Sequence, residues 1–103
     1  MTTNEYLQKT YKNGDEDTLR PRPIVRCADG FSISIQANKY TYCNPRITYP
    51  GEYTMVELGY PSEPDELIEE YAEDWGDLTD TVYGYVPIEV VDKLLEKHGG
   101  IVF

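Results

Sequence analysis

The stretch IVRCADGFSISIQ, residues 24–36, decides the fold, because apolar and polar side chains alternate along it after an Asp-Gly turn. Phe31, Ile33 and Ile35 point one way, while two serines and a glutamine point the other. A period of two residues is typical of a β-strand with one buried face. The stretch therefore predicts a β-hairpin and, with it, an antiparallel sheet.

The register of this hairpin can be argued from which side chains would enter the core. A two-residue Asp-Gly loop would pair Arg26 with Ile33 on the apolar face. A three-residue loop, with Gly30 in the left-handed bulge position, would pair Val25 with Ile33 instead. We predict the second register, because it keeps the arginine out of the core.

Four further segments have the composition of strands. Residues 40–43, 53–60 and 82–86 combine tyrosine, valine and threonine between turn residues, and residues 101–103 provide a last short strand. Aromatic and β-branched residues fit a pleated, half-buried surface. With the hairpin they predict a sheet of four to five strands, because residues 82–86 fit either a strand or an edge segment and residues 101–103 are an optional addition.

A first helix is predicted over residues 65–77, with Ser62 as its cap and Pro64 in its first turn. At about 100° per residue, one side of this helix is apolar, with Leu67, Ile68, Tyr71, Ala72 and Trp75. The other side is formed by seven acids, Asp65, Glu66, Glu69, Glu70, Glu73, Asp74 and Asp77. Three of these acids lie near the C-terminal end, where the helix dipole disfavours negative charge.

A second helix is predicted to begin after Pro87 and to end at Gly99-Gly100. Its core-facing positions are Ile88, Val91, Leu94 and Leu95. The predicted fold class is α+β, a small and mainly antiparallel sheet with two amphipathic helices packed on it. With 103 residues, the chain is long enough for one modest core, which we assign to residues 23–103. Residues 1–22 are polar and aperiodic, and are predicted to be a flexible N-terminal arm.

Charge is concentrated in one region of the chain. Residues 47–92 contain thirteen acids and no lysine or arginine, within a net charge of −10. Binding to nucleic acid or to an anionic membrane requires Lys and Arg against phosphates, so neither is expected as a direct partner. The charge favours a basic protein surface or a cation, although solubility alone is an equally good explanation.

Catalytic, metal and cofactor sites are not indicated. Cys27, Cys43 and His98 are too few for a structural zinc site, and residues 74–80 lack the spacing of a calcium loop. The carboxylates lie on a predicted solvated helix face, whereas acid–base catalysis needs carboxylates in different surroundings. We therefore predict a protein that is not an enzyme and has no cofactor, with reduced thiols. No signal peptide or membrane span is recognisable, so a cytoplasmic location is expected.

Tyrosines provide the second signal for binding, because exposed tyrosine is common at interfaces. Tyr83 and Tyr85, two residues apart in a predicted strand, should share one face of the sheet. The alternative is that this face packs under the helices. The predicted partner-binding set is Asp65, Glu66, Glu69, Glu70, Glu73, Asp74, Asp77, Tyr83 and Tyr85.

The predicted acidic helix would have a charge density close to that of a nucleic acid. Seven carboxylates over about 18 Å give roughly one charge per 2.6 Å at ~1.5 Å per residue. Single-stranded and duplex DNA carry one charge per ~3.4 Å and ~1.7 Å respectively. A DNA mimic that occupies a basic channel is therefore one hypothesis.

Four runs resemble an uncharacterised family of small acidic proteins of bacteriophages and prophages. They are CADGFSISIQAN, YCNPR, YTMVELGYPSEP and TVYGYVPIEVVDKLLEKHGG, and the resemblance covers roughly residues 25–101. The resemblance implies a phage context, hence the host cytoplasm, and no site residues. Small acidic phage proteins often inhibit host defence, including anti-CRISPR proteins that mimic DNA. The alternative is a phage accessory or structural protein that self-associates through its tyrosine-rich strands. The sequence leaves the partner and the oligomeric state open.

Overall fold

The computed structural model describes residues 1–11 and 21–102. In chain order the elements of these residues are α1 (Thr3–Lys9), β1 (Val25–Cys27), β2 (Ser32–Gln36), β3 (Met55–Gly59), a 3₁₀ turn (Glu69–Tyr71), β4 (Val82–Pro87), α2 (Ile88–Lys97) and β5 (Ile101–Val102). The strands form one antiparallel sheet in the order β4-β3-β2-β1-β5. The predicted α+β class is confirmed, although one of the two helices is not the predicted one.

The hairpin of β1 and β2 has the predicted register. Val25 pairs with Ile33, and both side chains are buried. Gly30 has φ of 95°, a left-handed conformation that glycine adopts without steric cost. Arg26 lies on the exposed face of β1, as the register argument requires.

α2 and β5 also follow the sequence prediction. Val91, Leu94 and Leu95 of α2 are buried in the core. The Gly100 N–H donates to the Leu95 carbonyl at 2.8 Å, and Gly99 has φ of 92°. This arrangement is the Schellman ending of a helix, which needs a left-handed residue just past the last turn. It directs the chain into β5, which pairs with β1.

The N-terminal residues differ from the predicted arm. Thr2 and Glu5 form a capping box that starts α1, and the helix buries Tyr6 and Leu7. A capping box satisfies two backbone donors that would otherwise be unpaired. The flexible-arm prediction is therefore wrong for α1, while residues 12–20 lie outside the described residues.

Several contacts fix α1 to the rest of the domain. The N–H and hydroxyl of Thr3 donate to Asp92 Oδ1 of α2 at 2.8 and 2.6 Å. The Arg22 guanidinium donates to the carbonyls of Leu7 and Ala37 at 3.2 and 2.8 Å. Burial lowers the pKa of Arg22, although an arginine stays charged at ordinary pH. α1 is therefore part of the core.

One strand prediction was wrong and another was too long. Residues 40–43 form turns and bends, and Asn44 alone makes an isolated bridge, to Met55. The strand predicted over residues 53–60 is confined to β3, because Tyr60 has φ of 52° and ends it. Among the described residues, no helix has the length and apolar composition to cross a bilayer.

Truncating Leu7 tests whether α1 belongs to the core. We expect Leu7→Ala to lower the free energy of unfolding by about 2–5 kcal/mol, since it leaves a cavity among packed side chains. Gln8→Ala, at the neighbouring exposed position, is the matched control and should change it by less than about 0.5 kcal/mol. Urea denaturation followed by circular dichroism measures both. Equal small effects would show that α1 is not packed in solution.

Candidate functional site

The acidic segment, residues 62–80, connects β3 to β4 and is not the predicted α-helix. Apart from the 3₁₀ turn Glu69–Tyr71, it consists of turns and bends. A helix here would place Glu66 four residues before Glu70 and Glu69 four before Glu73, with no base nearby. Like charges at this spacing destabilise a helix, and the acids at its C-terminal end add to the cost.

The far end of the acidic segment is attached to the sheet. Ala72 leaves the 3₁₀ turn in an extended conformation and forms a bridge with Tyr83. The Glu73 N–H donates to the Val82 carbonyl at 3.0 Å. The Tyr83 hydroxyl donates to the carbonyl of Leu78. The segment therefore lies along the outer edge of β4, where these bonds take the place of helical ones.

The near end is attached through Asp65, which was predicted to lie on an exposed acidic face. That prediction is wrong, because Asp65 is only 5% exposed. Its carboxylate accepts hydrogen bonds from the Leu67 N–H at 3.0 Å, from Lys97 Nζ at 3.2 Å and from His98 Nε2 at 2.9 Å. A buried carboxylate is stable only when charge and hydrogen bonds compensate for lost water, and the end of α2 supplies both.

His98 lies between two carboxylates. Its Nδ1 is 2.6 Å from Asp29 Oδ2, and its Nε2 is 2.9 Å from Asp65 Oδ2. The ring stacks on Phe31 with centroids 3.9 Å apart. Burial alone would lower the pKa of His98, but the hydrogen bonds and charges of the two carboxylates raise it overall. Two carboxylate oxygens facing the two ring nitrogens favour the imidazolium form of His98, in which both nitrogens donate.

The two carboxylates respond in the opposite direction. Burial alone would raise the pKa of Asp65, but hydrogen bonds from Leu67, His98 and Lys97 lower it overall. The pKa of Asp29 is lowered first by the Phe31 N–H and then by His98. From the sequence, His98 was considered as a zinc ligand. No local pattern places it beside residues 33 and 69 positions away.

The other predicted acids are exposed on the acidic segment. They are Glu66, Glu69, Glu70, Glu73, Asp74 and Asp77, with Glu63 and Asp80 beside them. Trp75 lies among them and is 70% exposed. Sequence analysis placed this tryptophan on the core-facing arc of a helix, and without the helix that placement is wrong. The segment thus presents an exposed aromatic ring within a sequence run of exposed acids.

Tyr83 and Tyr85 do not share a face. β4 contains a bulge, because Leu58 pairs with Tyr83 while Val56 pairs with Val86, and Tyr85 has φ of 52°. One extra residue in a strand reverses the facing of the residues beyond it. Tyr83 is consequently 0% exposed and packs in the core, whereas Tyr85 is exposed. The prediction of Tyr83 as a partner-binding residue is wrong.

Tyr85 instead belongs to an exposed tyrosine face, formed by Tyr40, Tyr42, Tyr60 and Tyr85. The rings of Tyr42 and Tyr85 are 5.8 Å apart, and the Tyr85 N–H donates to the Tyr42 carbonyl at 3.0 Å. The Arg46 guanidinium lies 5.4 Å from the Tyr42 ring. Tyr40 and Tyr60 line a groove of about 260 Å³ on the same side. The groove is also lined by residues of β2, β3 and β4, so the tyrosine face lies across these strands.

The thiols and the metal-ligand side chains show no reactive arrangement in residues 1–11 and 21–102. Cys27 and Cys43 are free and buried. Burial, followed by the nearby Asp29, raises the pKa of Cys27, so the thiol stays neutral. Within the same residues no group of three His, Cys, Asp or Glu side chains is arranged to hold a metal ion.

Comparison of the chain with protein-family models, curated proteins and solved structures gives no match. The resemblance to phage proteins therefore stays a prediction. The functional argument depends on the side chains of the acidic segment and of the tyrosine face.

Replacing Asp65 tests its role as an anchor. Asp65→Asn removes the charge that pairs with Lys97 and His98, so we expect a loss of about 3 kcal/mol in the free energy of unfolding at pH 6. Glu66→Gln, the exposed neighbour, should change it by less than about 0.5 kcal/mol. Urea denaturation of the two variants makes the comparison.

The same variants predict a pH dependence. Because the pKa of Asp65 is lowered in the fold, its contribution is present above its ordinary value of 3.8 and is lost as pH falls through the lowered value. The difference between wild type and Asp65→Asn should therefore shrink in acid. A difference that stayed constant down to pH 2 would contradict the charged pairing.

Proposed function

We propose that this protein is a non-enzymatic binding module that uses the acidic segment to bind a positively charged protein surface. The observation that carries the proposal is Trp75, which is 70% exposed among carboxylates. Tryptophan is enriched among the residues that dominate binding energy at interfaces. The surrounding acids supply the charge that a basic partner would complement.

The attachment of the segment supports a preformed surface. Asp65 fixes its near end through Lys97 and His98, and Glu73 fixes its far end on β4. A surface that is already ordered loses less conformational entropy when it binds. The exposed acids would in addition attract a basic partner over the distance of the Debye length and accelerate association.

The state of the titratable groups supports a protein without catalysis. His98 and Asp65, the groups best suited to acid–base chemistry, are occupied by hydrogen bonds to one another and to Asp29 and Lys97. The remaining acids of the segment are exposed to water rather than gathered in a cavity. Their arrangement suits electrostatic recognition better than proton transfer.

Within this class we propose a nucleic-acid-binding protein as the partner, in the form of an inhibitor of a host defence protein such as a CRISPR effector. The phage context and the host cytoplasm come from the sequence resemblance alone. Because the acids do not form one straight helical stripe, imitation of DNA would depend on charge rather than on helical geometry. A basic channel that accepts irregular single strands fits this surface better than one shaped for a duplex.

Matched charge variants test the proposal. One variant changes Glu66, Glu70 and Glu73 to Gln, and the control changes Glu52, Glu89 and Glu96 to Gln, so both lose three exposed charges. Partners captured from a bacterial lysate by each immobilised variant are identified by mass spectrometry. We expect the first variant to lose its basic partner and the control to retain it. Equal capture by both, with folding intact, would exclude the acidic segment as the binding surface.

Trp75 separates specific binding from simple charge attraction. Trp75→Ala leaves every charge in place, and we expect it to weaken the captured complex by about tenfold or more. Trp75 is the only tryptophan of the chain, so its fluorescence should shift to shorter wavelength when the purified partner covers it. An unchanged spectrum at saturation would place the interface elsewhere.

A second candidate function is self-association through the tyrosine face, as in a phage accessory or structural protein. The contiguous exposure of Tyr40, Tyr42, Tyr60 and Tyr85 favours it. Tyrosine provides large contact area at low entropy cost. In this function the charge of the acidic segment would serve solubility only.

Sedimentation of wild type and of a Tyr42→Ser, Tyr85→Ser variant tests the second candidate. Self-association predicts an oligomer that the double variant converts to a monomer, while Tyr11→Ser, a half-buried position in the N-terminal region, leaves it intact. A monomeric wild type at 100 μM would exclude this function, as ~100 μM exceeds the Kd of a specific dimer by far.

A further inference from the structure

We propose that protonation of His98 controls how firmly residues 63–68, the first part of the acidic segment, are held on the core. The acidic surface would then respond to pH. The biological role of this regulation rests on the proposed function, but the switch is a property of the free protein. The proposal rests on the arrangement of His98 between the carboxylates of Asp29 and Asp65.

The two hydrogen bonds between His98 and the carboxylates require that both nitrogens of its ring donate. His98 has a carboxylate oxygen 2.6 Å from Nδ1 and another 2.9 Å from Nε2. A neutral imidazole has one N–H, so after deprotonation a nitrogen lone pair would face a negatively charged oxygen. One of the two hydrogen bonds must then be lost, whichever nitrogen keeps the proton.

Loss of the His98 charge affects Asp65 more than Asp29. Asp29 is on the β1–β2 turn with its side chain 48% exposed, so water can solvate it when the ring is neutral. Asp65 has a side chain only 3% exposed, and it would retain a single positive neighbour. That neighbour, Lys97, is 45% exposed and pairs at 3.1 Å. A buried carboxylate that loses one of two positive partners becomes costly to keep buried.

Three charged groups face His98 from the elements packed around it. Asp29 lies on the hairpin turn, Asp65 on the acidic segment and Lys97 on α2. Cys27 of β1 is a buried thiol. Histidine is the side chain whose ordinary pKa lies nearest neutral pH, so a mild change of pH acts on His98.

Residues 63–68 are the part that Asp65 holds. On one side of them, the Ser62 N–H donates to the Ser32 carbonyl at 2.8 Å, and this bond involves no titratable group. On the other side, Glu73 is bonded to β4 at 3.0 Å. Between these two points, the Leu67 and Ile68 amides donate to the side chain and the carbonyl of Asp65. The Ile68 side chain is fully buried in the core and bounds the stretch. Release of Asp65 therefore frees the Leu67 and Ile68 amides from their bonds to Asp65, while the remainder of the segment stays attached.

The direction of the pH effect follows from proton linkage. The held state binds the His98 proton more tightly than the released state, which lacks Asp65 as a partner. Opening therefore releases a proton in the pH range between the two pKa values, and rising pH favours it by up to about tenfold per pH unit. Below this range both states are protonated, and the stretch is held most firmly.

Nuclear magnetic resonance of the free protein tests the proposal. The His98 ring signals give its titration midpoint, and amide hydrogen exchange reports the opening of Leu67 and Ile68. We expect their protection to fall by up to about tenfold per pH unit above pH 6.5 while Glu73, the internal reference, keeps its protection. Constant protection of Leu67 relative to Glu73 from pH 6 to pH 9 would overturn the proposal.

Two variants assign the effect to His98. His98→Gln should expose Leu67 to exchange at every pH and abolish the pH dependence. Asp29→Asn keeps the ring but removes one carboxylate, so it should move the midpoint of both the ring titration and the amide protection to lower pH. An unmoved midpoint would overturn the proposal even if His98→Gln failed to fold. Since no partner is present, loss of the switch and loss of partner capture are separate results.

Discussion

A carboxylate taken out of water must be given positive charge, and Asp65 is the buried carboxylate on which the position of the acidic segment depends. Its partners, Lys97 and His98, lie at the end of α2, and His98 in turn reaches Asp29 on the hairpin turn. One group of side chains thus joins three parts of the chain that are remote in sequence. The hydrophobic core adds to this connection, because Ile68 and Ala72 of the segment are buried in it while the remaining acids point to water.

The spacing of apolar residues correctly predicted the β1–β2 hairpin and α2. In these elements the position of a residue in the pattern is enough to show whether its side chain is buried. The alternation around Ile33 gave the hairpin register, since a shift by one residue would bury Arg26. The apolar spacing of α2 and the two glycines after it were sufficient for the helix and its ending. These predictions succeeded because each depends on contacts within a few residues or across one turn.

The failures arose where nonlocal contacts or charge outweighed the pattern. The acidic segment has a helical apolar period, yet repulsion among its acids and bonding to β4 favour an extended path. A bulge in β4 places Tyr83 and Tyr85 on opposite faces of the sheet, and the alternation of residue types in the sequence gives no sign of this bulge. The exposed acids were identified from composition, but the anchoring role of Asp65 and the exposure of Trp75 required the fold. α1 was missed although Thr2 and Glu5 carried its capping signal.

The position of the acidic segment along β4 has a consequence for the behaviour of the chain at high concentration. An open sheet edge is a template on which another molecule can add a strand, and such addition leads to fibrils and aggregates. Ala72 and Glu73 occupy the first part of this edge, Tyr85 bulges out of it, and Pro87 has no N–H to offer. The covering segment is also strongly charged, so approaching copies repel one another there. The acidic segment, which we propose as the recognition surface, therefore also covers part of the β4 edge against strand addition by other copies of the chain.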